Sequence, residues 1–151
     1  MVVLAQKLSP MRDRPPYLLL RLALLIACMP PLVYGTAAVV SGAHIVAITA
    51  LLSSGSVTLT PELDYLLKPL GLYVLMFGAL MAYAIFDPLK NRAIITWGAL
   101  VLFLRAMQRL FLTNTLHDLF GIPIGRNLVN VGYLALMAFI LLVLRPKRNA
   151  N

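Results

Sequence analysis

Charge is what this chain has least of. Only 12% of its 151 residues are Asp, Glu, Lys or Arg, while 61% are hydrophobic. Soluble domains run at about 25% charged and about 45–50% apolar. With a mean hydropathy of +0.89, a water-facing surface of ordinary polarity is excluded. The composition predicts an all-α membrane protein that crosses the bilayer several times. Acids are scarcest, five against thirteen basic residues, and no expected span carries one near its middle. A proton-coupled transporter usually needs such a group, so a small transporter is the weakest of the functional readings. The single cysteine, Cys28, excludes an intrachain disulfide and reads as a small buried hydrophobe. The two histidines, His44 and His117, lie far apart, with no cysteine or carboxylate at metal-ligand spacing, so no metal site is expected. There is no Ser/His/Asp constellation and no glycine-rich phosphate loop. The chain is expected not to be an enzyme. Low-complexity segments and internal repeats are missing as well.

What is there is a set of apolar runs punctuated by basic ends. The runs predict a bundle of four transmembrane helices at about 17–40, 66–86, 93–112 and 127–144, each near the roughly 20 residues that cross a bilayer. Together they form a membrane domain, 17–144, between basic tails 1–16 and 145–151. The net charge of +8 is informative through its placement. Lys7, Arg12, Arg14, Arg21, Lys90, Arg92, Arg145, Lys147 and Arg148 fall on one side of the expected bundle, whereas Glu62, Asp64 and Asp118 fall on the other. This is the positive-inside pattern, so both termini are expected in the cytoplasm and no nucleic acid is expected as a partner. An inner (cytoplasmic) or photosynthetic membrane is the expected location.

The first run has basic residues before it and Ser41-Gly42-Ala43 after it. That arrangement imitates a signal peptide, but the run is too long for an ordinary signal core. Pro30-Pro31 within it is expected to kink the helix. Residues 43–52 are apolar but too short to cross. They predict a short interfacial or re-entrant helix after the first span, or a kinked extension of it. Residues 53–62 read as polar loop. Thr60 followed by Pro61 predicts an N-cap with proline at the first helical position, and Glu62 and Asp64 then suit the first turn. Residues 87–92 read as a tight turn and residues 113–126 as a loop on the far side.

Against this background the informative residues are Arg105 and Arg109. At 1.5 Å per residue they stand about 18 Å and about 24 Å above the start of the third span. An arginine at the bilayer centre costs about 2.5–3.5 kcal/mol on insertion scales, and residues at i and i+4 share one helical face. That face predicts snorkelling to headgroups helped by Asp118, Glu62 or Asp64, docking on a neighbouring subunit, or an anion site that includes lipid phosphate. Arg126, in the loop before the last span, joins these two as a candidate contact to a partner or a lipid headgroup. His44 stands among small residues at the start of the short apolar stretch. It is either a ligand to a chlorophyll-type pigment or haem at the periphery, or a hydrogen-bonded interfacial histidine. His117-Asp118 reads as loop solvation, because adjacent residues on a helix point in different directions. Gly35, Ala38 and Gly42, with Gly71, Gly78 and Ala82, mark close helix contacts. Trp97 and the tyrosines 17, 65, 73, 83 and 133 read as an aromatic belt.

Residues 65–144 resemble the broad DoxX-like group of small four-helix membrane proteins. The resemblance is carried by Leu70-Gly71-Leu72-Tyr73 with Gly78, the Asp87-Pro88 turn, Arg105 and Arg109, and Gly121-Ile122-Pro123-Ile124-Gly125. It implies four antiparallel helices. That group often has an acid early in its last helix, where this chain reads Asn127-Leu128-Val129-Asn130, so pairing of that acid with the arginines is not expected here. The leading functional expectation is a non-catalytic accessory subunit of a larger membrane complex of photosynthetic or respiratory electron transfer, with other membrane subunits and phospholipids as partners. The alternative is a stand-alone DoxX-like protein that binds a small lipophilic ligand or quinone between its helices.

Overall fold

The computed structural model describes residues 15–55 and 58–146. The tail residues Lys7, Arg12, Arg14, Lys147 and Arg148 lie outside the described residues, as do Ser56 and Val57 of the polar loop. The described chain is all-helical. Its elements are α1 (Pro15–Val40), α2 (Gly42–Ser53), α3 (Pro61–Phe86), α4 (Arg92–Phe111), α5 (Thr113–Phe120) and α6 (Ile124–Leu144). Four of them, α1, α3, α4 and α6, are long and apolar enough to span a membrane. The shortest, α4, has 20 residues and so measures about 30 Å, the thickness of a hydrocarbon core.

Helices are forced on these segments by the solvent. Hydrocarbon offers no partner to a backbone N–H or C=O, so each span must satisfy its own. The exceptions occur at proline. α1 runs through Pro30-Pro31 as one helix, and Pro30 has no N–H to give the Ile26 carbonyl. That oxygen instead accepts a hydrogen bond of 3.1 Å from the Tyr133 hydroxyl on α6. The proline that was expected only to kink α1 thus creates an acceptor that ties α1 to α6. Tyr133 is thereby used inside the bundle rather than in an aromatic belt.

α1 packs most closely on α3, and α4 on α6. The α1–α3 seam is made by small residues. A Cβ on Gly71 would stand 2.5 Å from the Ala38 Cβ, and one on Gly35 would stand 2.5 Å from the Leu75 backbone nitrogen. The small-residue stripes therefore serve contacts within the chain. The two pairs meet in one apolar core. It contains Leu20, Leu24 and Cys28 of α1, Met81 and Ala84 of α3, Ile95, Ala99 and Leu102 of α4, and Ala138 and Leu141 of α6.

α3 starts five residues before the Leu66 expected from hydropathy. Its polar first turn is paid for locally: Thr60 Oγ1 accepts from the Leu63 N–H (3.3 Å), Pro61 occupies the first turn, and Lys68 pairs with Asp64 at 3.0 Å. The expected far-side loop 113–126 is corrected as well, since it contains the helix α5. Gly121, in the left-handed conformation at φ 62°, ends α5. His117 Nδ1 lies 3.2 Å from the Ile122 carbonyl, so this ring braces the corner after α5 instead of solvating a loop.

The two short helices cap the same end of the bundle. α2 begins at α3, where Asp64 Oδ1 accepts from the Gly42 N–H (2.8 Å). About 18 Å later at helical rise it ends beside α6, where Arg126 Nη1 donates to Ser54 Oγ (2.8 Å). Gly55 is buried there against the Phe120 carbonyl and Ile122. α2 is thus a strap between the α1–α3 pair and the α5–α6 corner.

Candidate functional site

Polar chemistry gathers at this capped end, around the last two turns of α4. Asn127, in the first turn of α6, is fully buried and is the centre of the cluster. Its Oδ1 accepts from Arg109 Nη1 at 3.1 Å. Its Nδ2 faces the Arg109 carbonyl at 3.1 Å and Thr113 Oγ1 at 3.0 Å. Thr113 Oγ1 in turn lies 2.9 Å and 2.8 Å from the carbonyl oxygens of Arg109 and Leu110, the acceptors left over where α4 ends. One amide thus joins α4, α5 and α6. Burying a polar side chain is unfavourable unless it is hydrogen-bonded, and here both ends of the amide are used.

The two arginines of the α4 face separate in role. Arg109 is half-buried and turned toward α6, whereas Arg105 is exposed. Arg105 Nη1 donates to Oε1 of Gln108, also exposed, at 2.8 Å. Among the described residues neither arginine has an ion pair with Glu62, Asp64 or Asp118, which sequence reading offered as partners. Asp64 is taken up by Lys68 and Gly42. Arg126 is exposed but held to α2 through Ser54, so the three arginines do not form one patch of equivalent groups. Arg105 alone presents its guanidinium to the outside of a span.

His44 is exposed near the start of α2. It lines an open groove of about 500 Å³ with Leu32, Val33, Thr36, Ala37, Val40 and Ile48. Thr36 Oγ1 is bonded to the Leu32 carbonyl (2.7 Å), which leaves His44 as the polar group that the groove offers. A smaller depression of about 380 Å³ lies along α4 and is lined by Val101, Leu104, Arg105 and Gln108. Among the described residues no three His, Cys, Asp or Glu side chains come together as a metal site.

Arg105 and Arg109 stood out in the sequence, but their neighbours Asn127, Thr113 and Gln108, and Ser54 beside Arg126, did not. A legible signal existed for Asn127: an amide in the first turn of an apolar span needs partners. Its particular partner depended on how α6 packs on α4. Compared with family models, curated proteins and solved structures, the chain finds no match.

Proposed function

We propose that this protein is a non-catalytic accessory subunit of a larger membrane complex of photosynthetic or respiratory electron transfer. What supports the reading is Tyr73. It stands five residues, about 7.5 Å at helical rise, beyond Lys68 in the apolar part of α3 (Pro61–Phe86), and 71% of its surface is exposed. Its hydroxyl takes no hydrogen bond among the described residues. Leu66, Pro69, Leu70, Met76 and Leu80 surround it on the same exposed face of the helix. A hydroxyl at that depth finds no partner in hydrocarbon, whereas a neighbouring protein helix supplies a carbonyl or side-chain acceptor. The internal polar groups support the same reading, because Asn127, Tyr133 and Asp64 are used to brace helices. In this reading Lys90, Arg92 and Arg145 face the cytoplasm and the capped end faces away from it. A photo-crosslinking amino acid at position 73 tests the proposal in native membranes. The expected product is a discrete adduct with a different membrane polypeptide, absent when the crosslinker replaces Leu142 on α6. Adducts with lipid or with a second copy alone would contradict it.

A second reading rests on a separate observation, the apolar groove with His44 on its wall. There a stand-alone DoxX-like protein would hold a quinone or another lipophilic ligand, the tail against Leu32, Val33 and Val40 and a carbonyl toward the imidazole. If His44→Phe removes a co-purified quinone or other lipophilic ligand, this reading gains over the first. An unchanged spectrum and ligand content remove His44 from the candidate sites.

A further inference from the structure

We propose that the depression on α4 binds an anionic phospholipid, with Arg105 and Gln108 holding its phosphodiester and Leu104 and Val101 carrying its acyl chain. Charge favours such a lipid. Arg105 is exposed on a span, and its described hydrogen bond goes to the neutral Gln108. Arg109, one turn away, is likewise bonded to a neutral side chain, the Asn127 amide. Two guanidinium charges thus stand on the last two turns of a membrane helix with no carboxylate paired to them among the described residues. A phosphodiester supplies the missing charge, and a lipid of net negative charge is preferred over a zwitterionic one that brings its own ammonium.

Donor geometry favours the same ligand. A guanidinium has N–H donors only, so the Gln108 carbonyl must be the group that faces Arg105. The Gln108 amide N–H groups are left to point away from it. Together with the unused N–H groups of Arg105 they make a row of donors for phosphate oxygens, the pairing in which arginine is strongest.

The groups are also ordered along the helix as a phospholipid requires. Gln108 and Arg105 lie about 4.5 Å and about 9 Å from the capped end of α4 at helical rise, within reach of a headgroup for a snorkelling side chain. Leu104 and Val101 continue the same depression toward the bilayer centre. Polar above and apolar below is the order of a phospholipid whose headgroup lies at the capped end. Arg126 is not part of this site, because its guanidinium is directed to Ser54.

The protein carries its own reporter. Trp97 is the single tryptophan, is exposed, and shares the α4 stripe of Val101, Leu104 and Gln108 at spacings of four, three and four residues. The full-length protein in detergent is titrated with phosphatidylglycerol brominated on its chains, and separately with brominated phosphatidylcholine. Quenching of Trp97 is expected at lower phosphatidylglycerol concentration. Arg105→Leu should weaken phosphatidylglycerol binding by about fivefold, the factor expected for one basic residue at a membrane surface, and Arg105→Lys, which keeps the charge but loses the planar donor fork, should weaken it less. Arg126→Leu should leave it unchanged. Arg105→Leu removes a charge from a span, so its helical circular dichroism should equal that of the parent. Inorganic phosphate added to the buffer should not compete, since it lacks the chain that Leu104 and Val101 receive. Equal quenching by the two lipids, a preference that survives Arg105→Leu, or displacement by inorganic phosphate would each overturn the proposal.

Discussion

Asn127 shows what a single residue does in this bundle. It is a neutral amide at a place where an acid would form an ion pair with Arg109, yet it satisfies Arg109, Thr113 and the end of α4 together. Removing Asn127 leaves the half-buried Arg109 guanidinium without this acceptor, at a cost of roughly 1–3 kcal/mol. Asn127→Leu is therefore expected to lower stability by about that amount in a detergent unfolding titration. Asn127→Asp keeps an acceptor for Arg109 and should lose less. Stability equal to the parent in Asn127→Leu would mean that the network is incidental. The arginines themselves were plain in the sequence, because charge inside an apolar run is costly. Their division of labour was not. Arg105 and Arg109 are one turn apart on the same face, and only the approach of α6 separates an inward from an outward guanidinium.

At the scale of elements, the spans were legible because hydropathy and length are properties of the segment itself. Thr60 with Pro61 likewise marked a helix start by local chemistry alone, and Thr60 Oγ1 accepts from Leu63 N. α5 was hidden because eight residues with a polar face carry no span-like signal and stand beside a Gly/Pro turn. The α1–α3 seam lay between, since glycines announced a close contact but not its partner. A Cβ at Gly35 would press on the Leu75 backbone, which cannot swing aside as a side chain does. Gly35→Ala should destabilise the bundle by about 1–3 kcal/mol, the range for overpacking. Gly132→Ala, in α6 with nothing within 4 Å of the added carbon, should not. Thermal unfolding of the two variants side by side measures the contrast, and equal losses would show that the seam tolerates a wider separation.

The molecule as a whole is a four-span apolar bundle with a strap helix across one end and, among the described residues, outward-facing polar groups on its spans that include Tyr73 and Arg105. The first follows from composition and is present in the structure. The other two depend on which side of each helix faces its neighbours, a property of packing that no single segment carries. The central claim is that this bundle works as part of a larger assembly. Native membranes dissolved in a mild detergent, followed by mass measurement of the particle that contains the chain, test it most directly. The account predicts a particle several times the 16.6 kDa of one chain, containing other membrane polypeptides in fixed proportion. A particle holding only one or two copies of this chain, with lipid and detergent, would contradict it.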